Sequence, residues 1–405
     1  MDVIVINTIS LLIAAIIVAL IARRLSLPYT VGLVVAGIAL ALARRDLGLV
    51  LTREIIFDVI LPPLLFEAAI NIHWKDLRRD ALPVLTLALA GTVVSAAVVA
   101  AGMVFVLGWP ISSALLFGVL IAATDPVAVI AMFKDNNITG RLRLLVESES
   151  LFNDGVAAML FTLVLASVRA TDAAGVSPTD VSRTLLLTVG GGIAVGVACA
   201  GAAIAATGRT SDHLIESTLT TIAAYGSFLL AEHFQFSGVL ATVAAGLVTG
   251  NLTVLAENHR SRISSHGREF VLALWEFIAF IANSLVFLLI GLTVAGIPFG
   301  QFGFTALVIV IALILLGRAL TVYPLCLLFA WSRHAISIRA QHVLWWGGLR
   351  GALALALALS LPTDLAFRGQ ILIATFGVVA FSVIAQGLTM PPLLRITGFV
   401  PKKRS

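Results

Sequence analysis

Long apolar runs, broken by short clusters of glycine, proline and charge, repeat along this chain. A membrane-spanning helix needs about 20 mostly apolar residues, with a working range of about 17–25. Taking the polar clusters as punctuation predicts thirteen spans. They run over Val3–Ala22, Tyr29–Ala43, Ile55–Ile72, Leu82–Leu107, Ser112–Phe133, Leu144–Val168, Thr184–Thr207, Leu214–His233, Ser237–Gly250, Phe270–Ala295, Phe302–Ala330, Ala340–Leu361 and Gly369–Leu394. The second and ninth are short, as tilted or re-entrant segments are. The longest polar connector, Asn251 to Glu269, is basic and is expected on the cytoplasmic side, as a loop or an interfacial helix.

Composition supports this reading. Of the 405 residues 60% are hydrophobic and 12% charged, against about 45–50% and about 25% in soluble domains. Mean hydropathy is +1.08. The fold class is therefore an all-α polytopic membrane protein, and residues 1–405 read as a single transmembrane domain with no separate soluble regulatory domain. Met1-Asp2-Val3 has no basic segment before its apolar run, and Arg23-Arg24 follow it, which suits a retained first helix better than a cleaved leader.

An odd number of spans puts the termini on opposite sides. With the N-terminus outside and the C-terminus cytoplasmic, the inside segments hold a clear excess of Lys and Arg, including Arg23, Arg24, Lys75, Arg78, Arg79, Lys134, Arg141, Arg143, Arg260 and Arg262. The outside segments hold only Arg44, Arg45, Arg53, Arg169, Arg183 and Arg368. That bias follows the positive-inside rule. It also accounts for the pI near 9.7 and removes nucleic acid as a partner, because the basic groups are spread over many loops. Cys199 and Cys326 lie in apolar runs and form no disulfide or metal-ligand pattern.

Chemistry concentrates in Glu147-Ser148-Glu149-Ser150-Leu151-Phe152-Asn153-Asp154-Gly155, at the start of the sixth span. An ionisable group at the centre of a membrane helix costs roughly 2.5–3.5 kcal/mol on insertion scales, so such a group is retained for function. Ser150 and Asp154 are four apart and share a face; Glu149 and Asn153 form a second stripe about 100° round the helix. Glu147 reads equally as part of the site or as a solvated carboxylate near the helix start. All these groups offer oxygen, which suits Na+, K+ or Li+ and no thiophilic metal. Asp154 is read as the position where a cation and a proton compete.

Three further features are expected near it. Thr124-Asp125-Pro126 interrupts the fifth span, since Pro126 lacks an N–H and disfavours helix at Asp125. Freed backbone groups are tolerated in a membrane only where protein or a cavity receives them. Arg318, inside the eleventh span, requires a buried carboxylate; Glu149 is the preferred partner and Asp125 the second choice. Gly347-Gly348-Leu349-Arg350-Gly351 interrupts the twelfth span. If the first six and last six spans are inverted repeats, the fifth corresponds to the twelfth, and paired interrupted helices point to a transporter's midplane site. Glu67, after Pro62-Pro63, reads as a proton relay or, preferably, a structural or dimer-surface group. The seven histidines fall mostly at span ends and loops.

Thr124-Asp125-Pro126-Val127-Ala128-Val129, Glu149-Ser150-Leu151-Phe152-Asn153-Asp154-Gly155, Gly317-Arg318-Ala319-Leu320 and Gly347-Gly348-Leu349-Arg350-Gly351 together resemble the sodium/proton exchanger family. Leu61-Pro62-Pro63 and Phe236-Ser237-Gly238-Val239-Leu240-Ala241 fit it too, and the short tail is similar to that of its prokaryotic members. The resemblance implies a thirteen-helix inverted-repeat fold with crossed, broken fifth and twelfth helices, and a homodimer in the cell membrane. It implies Asp154 as the cation and proton carboxylate, with Ser150, Glu149 and the Thr124 backbone near the ion. Asn153 and Asp125 would support the site with Arg350 nearby, and Arg318 would pair with Glu149. The Asn153-Asp154 pair resembles the family's marker of one-for-one electroneutral exchange.

The expected activity is secondary antiport of a monovalent cation, Na+ first and K+ or Li+ next, against a proton, serving pH homeostasis. It needs no cofactor and involves no enzyme chemistry. The neutralised carboxylate would cross and the empty, charged one would not, by movement of a core domain against a dimer scaffold. A cation channel or uncoupled uniporter would use the same oxygens without proton counterflow. A membrane sensor would need the carboxylates only for packing, and a larger organic ion would need an aromatic-lined site that the motifs lack.

Overall fold

The computed structural model describes residues 2–25, 28–43, 51–169, 178–210, 212–256 and 263–400. Arg44, Arg45, Arg260 and Arg262 of the charge argument, and the middle of the basic connector, lie outside the described residues. Every regular element among those described is helical. In chain order the helices are α1 (Asp2–Leu25), α2 (Tyr29–Leu42), α3 (Leu61–Ile70), α4 (Trp74–Leu107), α5 (Ile111–Leu120), α6 (Val127–Asp135), α7 (Arg141–Arg169), α8 (Pro178–Thr207) and α9 (His213–His233). They continue with α10 (Gly238–Thr249), α11 (Ser265–Ala295), α12 (Phe299–Phe302), α13 (Phe304–Leu327), α14 (Ile338–Trp346), α15 (Ala352–Leu359), α16 (Arg368–Phe381) and α17 (Gly387–Ile396). Ile55–Ile60, Gly250–Val254 and Ser382–Gln386 are π-helical turns joined to their neighbours.

Seven described helices are long and apolar enough to cross a membrane, and the shorter apolar helices include Tyr29–Leu42, Ile111–Leu120 and Gly238–Val254. Two of the spans expected from hydropathy are each divided in two. The fifth is α5 and α6, separated at 121–126, and the twelfth is α14 and α15, separated at 347–351.

The chain divides into two compact units, one of residues 1–56, 83–153 and 283–405, the other of residues 57–82 and 154–282. In the second unit the short helix α10 is apolar and buried on all sides, as an all-round apolar helix must be. Glycines let it approach its neighbours. A Cβ on Gly196 would meet the Ala241 carbonyl, and one on Gly246 or Gly250 would meet the backbone of α3 at Phe66 to Ile70. Close backbone approach of this kind replaces the hydrophobic drive that lipid cannot supply. Phe66 packs on the fully buried Trp275 at 4.5 Å between ring centroids, and the Trp275 indole donates to Thr220 at 2.9 Å. Pro63 cannot donate to the Val59 carbonyl one turn before it; the Tyr225 hydroxyl does so instead, at 3.1 Å.

In the first unit α4 lies between α5 and α13. A Cβ on Gly118 would overlap the Ala96 carbonyl, one on Gly91 would meet Thr321, and one on Gly102 would meet Leu313. The Thr321 hydroxyl also reaches the Gly91 carbonyl at 3.2 Å. Helices α2 and α11 cross where Gly37 and Gly291 face each other's backbones. This packing fixes α13, which carries Arg318, and α5, which leads to the first interruption.

Candidate functional site

Proline and glycine break the two interrupted helices, and each break is satisfied by the other. The Asp125 N–H donates to the Leu349 carbonyl at 2.8 Å, joining the two unwound stretches directly. The Asp125 carboxylate accepts from the Val127 N–H at 3.0 Å, capping α6 after Pro126. It also takes the Ala352 N–H, at the start of α15. One carboxylate thus sits at two helix N-termini, where partial positive charge favours an anion. Gly351 is required there, because a Cβ would fall within the Asp125 side chain.

Arg350 supplies the opposite charge. It is 1% exposed, and its Nη1 donates to the carbonyls of Ala122 and Ala123, at 3.1 and 3.2 Å, just past the C-terminal end of α5. A cation at a helix C-terminus complements the dipole. The Ser382 hydroxyl, at the start of the π turn after α16, accepts the Arg350 N–H at 3.0 Å.

Helix α7 presents the acidic stretch to this crossing. Arg318 donates from Nη1 and Nη2 to the two oxygens of Glu149, both at 2.8 Å, and from Nη2 to the Leu344 carbonyl at 3.1 Å. Arg318 is 5% and Glu149 2% exposed, so this is a buried, two-pronged ion pair. A Cβ on Gly348 would press on the Arg318 guanidinium. The Ser150 hydroxyl donates to the Thr124 carbonyl and lies 3.2 Å from the Thr124 hydroxyl. Asn153 Nδ2 reaches the Ala122 carbonyl and Thr124 Oγ1, each at 3.3 Å. Asp154 is half-buried and follows Ser150 by four residues, about 6 Å along the same helix face.

A small cavity of about 10 Å³, the room of about one water molecule, adjoins these groups, lined by Thr124, Glu149, Ser150, Arg318 and Gly348 among others. Glu147 is set apart from it: Arg143 holds its carboxylate at 3.4 Å, one turn toward the start of α7. Glu67 accepts from the Asn71 side chain at 3.2 Å. The structure therefore brings Thr124, Asp125, Glu149, Ser150, Asn153, Arg318 and Arg350 into one network, with Asp154 next along α7.

Sequence reasoning missed the Asp125 cap on α15, the need for Gly348 and Gly351 as clearance, and the part played by Ser382. The glycine spacing was a visible signal for the first two. Nothing in the sequence around Ser382 marks it.

Paired interrupted membrane helices that meet at their breaks, with charged groups at the opposed helix ends, define the architecture of a secondary transporter. A family model described as the transmembrane sodium/hydrogen exchanger matches residues 10–396. The chain belongs to that family. It is 40% identical over 352 residues to the Na(+)/H(+) antiporter ApNhaP of Aphanothece halophytica, covering 86% of this chain and 66% of that protein. It is 37% identical to the low-affinity Na(+)/H(+) antiporter NhaS1 of Synechocystis sp., covering 85% and 65%, and 34% identical to NhaH of Halobacillus dabanensis, covering 85% and 83%. The chain thus spans just under two-thirds of the first two relatives. Its fold resembles that of the sodium proton antiporter MjNhaP1 of Methanocaldococcus jannaschii, with a TM-score of 0.74 at 20% identity over 98% of this chain and 100% of that one.

Proposed function

We propose that this protein exchanges Na+ for a proton, one for one, across the cell membrane, with K+ or Li+ as alternative cations. The names of the relatives support the activity. The observation that carries the site assignment is the engagement of Glu149 by Arg318, two bonds at 2.8 Å. A carboxylate held that way is a fixed counter-charge, and the exchanging role passes to Asp154 on the neighbouring stripe. The Ser150 hydroxyl and Glu149 carboxylate on α7 and the Thr124 carbonyl at the break facing them are hard oxygens and suit a monovalent cation.

One exchanging carboxylate suits one-for-one exchange. With Glu149 held by Arg318, Asp154 contributes one negative charge, which one proton or one monovalent cation neutralises. Burial disfavours the ionised carboxylate and a bound cation favours it, so the two ligands exclude each other. Each loaded form is neutral and able to cross, while the empty form carries a charge that the membrane interior resists. The loop charge bias supports an outside N-terminus and a cytoplasmic C-terminus, and the family likeness supports a homodimer with a role in pH homeostasis.

The test is purified protein in proteoliposomes, with proton flux driven in turn by Na+, K+ and Li+ gradients at zero and at imposed membrane potential. Na+-driven flux that is indifferent to potential and lost in Asp154→Asn is expected. Full exchange in Asp154→Asn would refute the assignment, and current without proton counterflow would show a channel.

A further inference from the structure

A second small cavity, of about 10 Å³ or the room of about one water molecule, lies beside the first in the same unit. Arg318 and Gly348 line both. Thr124, Glu149 and Ser150 line only the site cavity. Arg350, Gln386 and Trp345 line only the second. The partition between the two is thus the Arg318 side chain and the glycine it rests against. Glu149, the acidic half of the pair, faces the site cavity alone, while the charged groups lining the second cavity are both guanidinium groups.

We propose that Arg318 is an electrostatic seal that stops protons and cations passing from the exchange site into the second cavity. This rests on the exchange reading above and extends it, because a tight antiporter must deny its ligands any route that bypasses the coupled step. The chemistry suits a seal. A guanidinium keeps its proton at every physiological pH and cannot hand one on. Its fixed charge repels an approaching hydronium or cation, as an arginine does in selective pores. Three hydrogen bonds, two to Glu149 and one to the Leu344 carbonyl, hold the group across the boundary. Gly348 keeps it there, since a Cβ at that position would lie 2.6 Å from Arg318 Nε.

The test measures passive proton permeability of proteoliposomes with no transported cation present. Glu149→Gln with Arg318→Met removes both charges at similar volume, and Gly348→Ala displaces the guanidinium while keeping it. Both variants are expected to raise proton permeability over the original protein by roughly tenfold or more, which corresponds to about 1.4 kcal/mol off the barrier to passage. A folded double variant, judged by its melting in detergent, with the original permeability would overturn the seal. Should that variant not fold, Gly348→Ala decides by the same criterion. Loss of coupled exchange alone does not count for the seal, because a merely structural pair would show it too. Failure of the original protein to exchange Na+ for protons defeats the exchange reading instead, and is read separately.

Discussion

Gly351→Ala tests the crossing of the interrupted helices most directly. The added Cβ would fall on Oδ2, Cγ and Cβ of Asp125, and Asp125 has little room to yield, because its backbone is tied to Leu349 at 2.8 Å and its carboxylate to the Val127 N–H at 3.0 Å. Overpacking a well-filled interior costs about 1–3 kcal/mol, and losing an N-cap costs about 0.5–2 kcal/mol. A displaced Asp125 suffers both, so Gly351→Ala should destabilise the protein by about 2–4 kcal/mol. Asp125→Gly removes every atom the new methyl would strike. In that background the same substitution should cost less than about 1 kcal/mol, because contacting residues couple. Thermal unfolding in detergent, followed by tryptophan fluorescence for the four proteins of the cycle, gives the comparison. Equal losses from Gly351→Ala with and without Asp125 would show that the glycine is needed for some other reason and would refute the steric account.

Three further predictions follow from the same geometry. Arg318→Ala leaves Glu149 charged and buried and should cost about 3–5 kcal/mol, whereas Arg318→Met with Glu149→Gln should restore most of it; melting temperatures in detergent decide. Competition at Asp154 predicts that the apparent Na+ KM rises as pH falls, approaching about tenfold per unit on the acidic side, because the proton occupies the cation's carboxylate. Steady-state exchange rates over a pH series check the slope, and a pH-independent KM would exclude a shared site. Glu216, 0% exposed, accepts from the Ser264 N–H and hydroxyl just before α11, so Glu216→Ala should cost about 1–3 kcal/mol and speed amide hydrogen exchange in the first turn of α11.

Much of the fold was legible because lipid simplifies the problem. A span must satisfy its own backbone, so apolar length and the proline and glycine breaks are written locally. Thr124-Asp125-Pro126 and Gly347 to Gly351 announced two interruptions for that reason, and the unaccompanied Arg318 announced a buried acid. Less of the site was legible. Candidate partners for Arg318 included both Glu149 and Asp125, which are chemically alike, and spacing along the chain does not say which of them the packing of other helices brings to it.

Residue type and spacing alone therefore determined the helical membrane class, the position of the breaks and the acids that need an explanation. Tertiary packing decided which groups those acids meet. Glycine contacts between α4, α5 and α13 set Arg318 against Glu149, and the meeting of the two breaks gave Asp125 two helix starts to cap and gave Arg350 the carbonyls past α5. The physical reason is range. A break in a helix is a property of a few consecutive residues, whereas the partner of a buried charge is whichever group the packing of distant helices brings within about 3 Å.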